Sequence, residues 1–142
     1  MITVKSIYQI EKLVVESILS KAYLGRSIKH EKNVFIVEYK SEFIRSEIVS
    51  ELIKESEILL TLDHPHLLKM MDYHYDGTSF YVIYCFDHNL MSLDVCLSGS
   101  QRWEQSRVHS ILSQILDVLC YFEEQGLSYS TLNLEAIYLT KD

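Results

Sequence analysis

The sequence predicts an α+β fold, and two features of its residue pattern carry this prediction. Four short segments alternate apolar and polar residues or are rich in β-branched and aromatic residues, as β-strands are. Two longer segments, 46–62 and 104–125, repeat apolar residues at helical spacing and contain no Gly or Pro. The chain of 142 residues fits one domain, and 48% apolar residues are enough to build a core.

Composition argues against several classes of partner. The net charge is −7 and the basic residues are scattered, so the chain lacks the positive surface that binds nucleic acids or anionic membranes. Three cysteines without a CxxC pair fit reduced thiols in a cytosolic or nuclear protein. The first five residues lack the plan of a signal peptide, and no apolar run approaches the roughly 18 residues of a spanning helix. We therefore expect a cytoplasmic protein without nucleic-acid or membrane partners.

The predicted strands form two hairpins. Tyr8–Val14 and Lys21–Ser27 make the first, across a short connection. Leu67–Tyr73 and Phe80–Phe86 make the second, with its turn at Asp76-Gly77-Thr78.

Helical spacing of apolar residues predicts the helices. Leu90–Leu97 is a short helix that Ser98-Gly99-Ser100 ends. The other two helices are long and amphipathic. The apolar residues of helix 46–62 are Ile48, Leu52, Ile53, Ile58, Leu59 and Leu62. Those of helix 104–125 are Val108, Ile111, Leu112, Ile115, Leu119 and Phe122.

A series of short motifs resembles the N-terminal lobe of eukaryotic protein kinases. Leu24-Gly25-Arg26 and Asn33–Lys40 are similar to the second and third strands of that lobe. Helix 46–62 resembles the family's C helix, because it leads into Asp-His-Pro-His-Leu-Leu-Lys at 63–69, close to the family's Asp-His-Pro-Asn-Ile-Val-Lys. The resemblance adds a strand at 33–40 and implies a five-stranded antiparallel sheet with a C helix.

The resemblance also implies positions for a nucleotide pocket. Lys40 takes the place of the ATP-orienting lysine, and Glu55 that of the C-helix glutamate that pairs with it. Glu47, Glu51 and Glu55 form an i, i+4 stripe, so another of them could meet Lys40. A purely structural ion pair of Lys40 with Glu55 and, for Glu47, a solvated acidic helix face are the alternative interpretations.

The strand 80–86 resembles the family's strand that runs into the hinge, where the backbone binds adenine. Tyr84 then takes the gatekeeper position and Cys85 the first hinge position. Glu38 occupies a position where the family has a small alanine against the purine. Backbone recognition does not depend on the side chain, so the sequence does not exclude adenine contact. Glu38 is harder to reconcile with it, because a carboxylate facing an apolar pocket is costly if left unpaired.

The phosphate-covering loop of the family lacks its glycines in this chain. Val15, Ser17 and Ser20 stand at the three glycine positions. Glycine is required there because it adopts positive φ freely and lets backbone N–H groups approach phosphate oxygens. A simple hairpin of serines and aliphatic residues is therefore the favoured interpretation.

The stretch Gly126–Leu139 resembles the family's catalytic loop with its chemistry removed. The replacements are Tyr129, Ser130 and Thr131 for His-Arg-Asp, Asn133 for the lysine and Ala136 for the metal-binding asparagine. Phosphoryl transfer uses a carboxylate to orient the substrate hydroxyl and oxygen ligands for magnesium. Thr131 and Ala136 supply neither. We expect no catalytic residue, no metal site and no required cofactor, although ATP could still bind without a complete magnesium site.

The resemblance covers nearly the whole chain but about the first half of a kinase domain. Residues 6–86 correspond to the N-terminal lobe, and 87–142 to the hinge, a short helix, the long helix and the catalytic-loop remnant. The Asp-Phe-Gly segment is not in the sequence. In such a truncated domain the apolar face of 104–125 would meet water, so we expect it to bind a protein partner or a second copy, or to fold back on the strands.

Three functions are compatible with these residues. The leading hypothesis is a catalytically inactive, pseudokinase-like interaction or scaffold module. The alternative is an ATP-binding Ser/Thr protein kinase or a fragment of one, based on Lys40, Glu55 and the hinge. The third is a decayed gene fragment without function.

Overall fold

Five antiparallel strands form one sheet in the computed structural model, which describes residues 4–87, 89–99, 101–127 and 136–140. The chain divides into two units, residues 1–63 with 68–88 and residues 64–67 with 89–142. The first unit contains α1 (Val4–Ile7), β1 (Tyr8–Glu16), β2 (Ser20–Ser27), β3 (Asn33–Tyr39), α2 (Ser46–Thr61), β4 (Met70–Tyr75) and β5 (Phe80–Cys85). The strand order is β1-β2-β3-β5-β4. The predicted α+β class and five-stranded antiparallel sheet are confirmed.

The N-terminal residues cover one face of this sheet. Val34 and Ile36 in β3 are fully buried there, beside Ile83, which lies opposite Ile36 in β5. Val4 of α1 and Tyr8 at the start of β1 complete the cluster. Alternate strand residues point to one face, so these side chains form a continuous apolar layer.

Helix α2 covers the other face. Phe80 and Val82 in β5 and Met70 in β4 are buried on this side, and Leu52 and Leu59 pack against them. Each face therefore carries an apolar layer, and each strand residue has a defined side.

The buried face of α2 differs from the one that its isoleucines predict. Ile48 and Ile58 are 40% and 44% exposed, whereas Ser56 is buried. The buried and half-buried positions follow helical spacing and are Val49, Leu52, Ile53, Ser56, Leu59 and Leu60. The helix is present where predicted, but two of its predicted core residues lie at the surface.

Both edge strands of the sheet are irregular. The pairing of β1 with β2 shifts register between Ile10 and Lys12 and again after Leu13. The pairing of β4 with β5 shifts between Met70 and Asp72. Such bulges bend a strand and increase its local twist.

The second unit contains the longest helix of the described residues. Its elements are β6 (Met91–Ser92), α3 (Leu93–Leu97), α4 (Gln105–Glu124) and β7 (Tyr138–Leu139). β6 and β7 pair antiparallel, and the Ser92 hydroxyl accepts the Val95 N–H at the start of α3. Side-chain capping of this kind satisfies one of the free N–H groups of a helix start.

The predicted apolar row of α4 is only partly buried. Phe122 is 5% exposed, but Val108 and Leu112 are 39% and 53% exposed. Leu116, which extends this surface by one turn, is 60% exposed. The half-buried members of the row are Ile111, Ile115 and Leu119. Neither α4 nor any other helix in the described part of the chain has the length and apolar content that crossing a membrane requires.

A glycine substitution tests the packing of β2. Gly25 pairs with Ile10 and Val34, and a Cβ at this position would overlap the Gln9 carbonyl oxygen. Gly25→Ala should lower the free energy of unfolding by about 1–3 kcal/mol, because backbone atoms must move apart. Urea denaturation followed by circular dichroism measures this change.

The matched control is Gly99→Ala. There the nearest atom to an added Cβ is the Cys96 carbonyl oxygen at 3.9 Å, an ordinary contact. Its effect should stay within about 0.5 kcal/mol. Equal effects of the two substitutions would contradict the close approach at Gly25.

Candidate functional site

Lys40 lies in an ion-pair cluster at one end of the sheet. It follows β3 directly, and its Nζ is 3.1 Å from Glu16 Oε1. The same Glu16 oxygen is 4.0 Å from Lys21 Nζ. One carboxylate oxygen at the end of β1 therefore lies between two ammonium groups.

These residues line an open pocket of about 360 Å³. Its lining residues are Glu16, Lys21, Glu38, Lys40, Ser41, Glu42 and Ser79. Three carboxylates, two ammonium groups and two hydroxyls give the lining a formal charge of −1. The pocket is suited to polar or charged groups, and it lacks the apolar walls typical of a site for a planar ring.

The strand ladder brings these residues together. Glu16 lies opposite Lys21 in the β1–β2 pair, and Lys21 lies opposite Glu38 in the β2–β3 pair. The hairpin closes through the Ser17 N–H, which donates to the Ser20 carbonyl at 2.8 Å. Side chains at facing positions on one side of a sheet are neighbours, so the register alone aligns the three charges.

The Glu38 carboxylate is satisfied by two phenols. Tyr23 and Tyr81 donate their hydroxyls to its two oxygens at 3.1 and 3.3 Å. Burial, assisted by the Glu38 charge, raises the pKa of Tyr81 to about 12, and burial and the hydrogen bond to Glu38 raise the pKa of Tyr23. From the sequence, a Glu38 carboxylate facing an apolar pocket would be costly if left unpaired; in the structure it has two hydrogen-bond donors.

A second carboxylate–phenol cluster lies on the face that α1 covers. Tyr8 donates to Asp72 Oδ2 at 3.2 Å, and His74 Nε2 is 2.8 Å from the same oxygen. Burial, followed by the Asp72 charge and hydrogen bond, raises the pKa of Tyr8 to about 12. No signal in the sequence joins Tyr8 to Asp72, because they are 64 residues apart.

Lys40 does not pair with the α2 glutamates. Glu55 is exposed, and no ion pair within 4 Å joins it or Glu47 or Glu51 to Lys40 in the part of the chain described. The implied role of Lys40 and Glu55 at a nucleotide site stays a prediction, but in this structure Lys40 pairs with Glu16 and not with Glu55. Glu55 is too exposed to reach the sheet because α2 packs through the face that contains Ser56. Ser56 is buried, and the neighbouring Glu55 lies on the side that faces solvent.

The hinge positions lie apart from Lys40. Tyr84 packs in the apolar cluster under α2, on the face opposite the Glu38 side chain. Cys85 is exposed at the end of β5, and its backbone N–H donates to the Lys69 carbonyl at 2.8 Å. The predicted nucleotide-pocket residues are thus spread over both sheet faces and the outer side of α2.

The remaining predicted positions belong to the degenerate catalytic loop. Thr131 and Asn133 lie outside the described residues, and Ala136 is exposed at the start of the last described segment. Within the described ranges, no group of three or more His, Cys, Asp or Glu residues is arranged to hold a metal ion. His64, next to the single proline, instead accepts the His66 N–H through Nδ1 at 3.1 Å.

Comparison with known proteins finds weak similarity to several protein kinases. Aurora kinase C of Mus musculus is 28% identical over 123 residues, which cover 84% of this chain and 43% of that protein. Serine/threonine-protein kinase ULK3 of Xenopus laevis is 27% identical over 123 residues, 85% of this chain and 25% of that protein. Serine/threonine-protein kinase PLK4 of Drosophila grimshawi is 23% identical over 137 residues, 95% of this chain and 18% of that protein.

These similarities support a protein-kinase-like relationship. The five-stranded antiparallel sheet with its helices is consistent with a kinase N-terminal lobe. No protein-family model matches the chain. The chain spans less than half the length of each of these relatives.

The two phenol–carboxylate clusters predict a loss of stability at alkaline pH. The pKa of Tyr8 and of Tyr81 is about 12 in the folded chain, against 10.0 for an ordinary tyrosine. The folded state therefore holds protons that the unfolded chain releases above pH 10. This contribution is fully present below pH 10 and is lost as the pH rises through 12.

Guanidinium denaturation at stepped pH values above 9 measures this loss. The double variant Tyr8→Phe, Tyr81→Phe should lose less stability over the window than the wild-type chain does. Tyr75→Phe, at an exposed tyrosine beside the β4–β5 turn, is the control and should follow the wild-type curve. Identical slopes for the double variant and the wild type would refute the link to these phenols.

Proposed function

We propose that this chain is a protein-kinase-like module that acts by binding other proteins and does not transfer phosphate. The pairing of Lys40 with Glu16 is the observation that carries the proposal. Kinase chemistry requires the strand lysine to be paired with the C-helix glutamate, with magnesium held nearby. Lys40 instead forms an ion pair with Glu16, at the end of β1 beside the β1–β2 turn, and Glu55 is exposed.

Charge also argues against nucleotide binding. Glu16, Glu38 and Glu42 line the pocket that contains Lys40. The phosphates of ATP would meet these carboxylates at short range, and like charges at a few ångström repel each other. Without a magnesium ion to neutralise the phosphates, only Lys21 and Lys40 offset this repulsion, and the lining keeps a formal charge of −1.

The exposed apolar side of α4 is the surface that we propose for the interaction. Val108, Leu112 and Leu116 succeed one another at i, i+4 spacing and all remain exposed. Neighbouring apolar residues on successive turns form a contiguous patch, which is a common feature of interfaces. A protein partner or a second copy of the chain would cover it.

An ATP-binding Ser/Thr protein kinase, or a fragment of one, is the second candidate. Its support is the similarity to three Ser/Thr kinases over 84–95% of the chain. The resemblance puts Thr131 at the position of the catalytic carboxylate and Ala136 at that of a magnesium ligand. This candidate therefore requires other residues to supply the carboxylate and the magnesium ligand.

Thermal melting with ATP separates the two candidates. Millimolar ATP, with magnesium or with a chelator, should leave the melting temperature of the wild-type chain unchanged. A ligand of the folded state at about 100 times its dissociation constant would stabilise it by about 2.7 kcal/mol, an effect easily detected. A shift that Lys40→Ala abolishes and Lys12→Ala, at an exposed lysine of β1, retains would favour the kinase alternative.

The α4 surface has its own test. Leu112→Ser with Leu116→Ser should weaken self-association, measured by light scattering, or lower the binding of an apolar dye such as bis-ANS. Ser110→Ala with Ser113→Ala, at exposed serines on the same helix, is the control and should change neither. A monodisperse wild-type monomer that binds no dye would count against this surface.

A further inference from the structure

We propose that Glu16 is a built-in occupant of an anion-binding position between Lys21 and Lys40, and that it keeps phosphate groups out. The inference rests on the proposed function, because it names the contact that makes the module independent of nucleotide. It goes further by predicting that a single substitution opens the position.

The geometry of one oxygen atom motivates the proposal. Glu16 Oε1 is 3.1 Å from Lys40 Nζ and 4.0 Å from Lys21 Nζ. Ammonium groups bind carboxylate and phosphate oxygens in similar ways. In the described residues, neither lysine has another ion-pair partner within 4 Å. Glu16 thus fills the position that a phosphate oxygen would take.

The hairpin keeps this carboxylate close to the lysines. The Ser17 N–H donates to the Ser20 carbonyl at 2.8 Å, and the Lys40 N–H donates to the Leu19 carbonyl at 2.9 Å. The backbone of the hairpin tip is therefore joined directly to Lys40. A tethered group acts at an effective concentration on the order of millimolar, so a free anion must compete with a local carboxylate that never diffuses away.

The lining as a whole becomes neutral when Glu16 loses its charge. Lys21 and Lys40 then balance Glu38 and Glu42. Glu38 is held by the hydroxyls of Tyr23 and Tyr81, so its oxygens already have hydrogen-bond donors. Removing the Glu16 carboxylate therefore has two effects. It leaves Lys21 and Lys40 without their ion-pair partner, and it removes the excess negative charge of the pocket.

The test uses Glu16→Gln and inorganic pyrophosphate, with affinity measured by calorimetry at low ionic strength. The variant should bind at least about fivefold more tightly than the wild-type chain, since it loses a competing ion pair and a repelling charge. Adding Lys40→Gln to Glu16→Gln should cancel the gain. Glu16 is half exposed, so the variant is expected to fold, and Glu16→Ala serves as a second variant.

Glu11→Gln is the matched control. Glu11 lies on the same strand and forms a 3.8 Å ion pair with Arg26, away from the pocket. Its substitution changes the net charge by the same amount and should leave pyrophosphate binding unchanged. An equal gain in Glu11→Gln would mean that net charge is the cause, which overturns the proposal.

The outcomes for this inference and for the proposed function are distinct. Equal pyrophosphate affinity of wild type and of folded Glu16→Gln overturns the inference and leaves the interaction module in place. If the wild-type chain binds ATP, the module is not independent of nucleotide and the kinase alternative gains support. In that case a further gain in Glu16→Gln still supports the role of Glu16, whereas equal binding overturns it.

Discussion

The register of β3 against β5 is the constraint on which the first unit depends. Ile36 opposite Ile83 and Glu38 opposite Tyr81 fix which side chains meet α1 and which meet α2. Because side chains alternate along a strand, a slip of one residue would move Glu38 under α2 and bring Val37 to the phenols. Burial of apolar residues on both faces makes such a slip costly, so the register and the charged pocket are set together.

Three carboxylates of the first unit, Glu16, Glu38 and Asp72, each have a hydrogen-bond donor or a cation next to them. Glu38 and Asp72 each accept a hydrogen bond from at least one largely buried phenol, while Glu16 is paired with two lysines. A chain with a net charge of −7 must separate or satisfy its carboxylates, and here it uses tyrosine hydroxyls as well as ammonium groups. Hydrogen bonds from phenols allow a carboxylate to stay in a partly apolar sheet without a full counter-charge.

Four strands and the long helices could be predicted from the sequence because their periodicities are local, whereas β3 came from the resemblance to kinases. The exact face of α2 could not, since Ile48 borders the buried residues of this amphipathic helix and Ile58 lies away from them. Ile48 and Ile58 were equally plausible core residues, and the buried position of Ser56 depends on how closely the helix approaches the sheet. The partner of Lys40 was also beyond prediction, because Glu16 is one of 20 acidic residues and comes close only through the folding of three strands. The resemblance to kinases directed attention to Glu55, whereas the register of the hairpin determines the contact.

The bulges in both edge strands have a consequence for behaviour in concentrated solution. A regular, flat edge exposes a row of N–H and C=O groups to which the edge of another molecule can add. The register shifts in β1 and β4 interrupt that row on each side of the sheet. Charged side chains at Glu11 and Lys12 lie at the first of these interruptions. The sheet therefore resists growth into intermolecular ribbons, even though nearly half of the chain's residues are apolar.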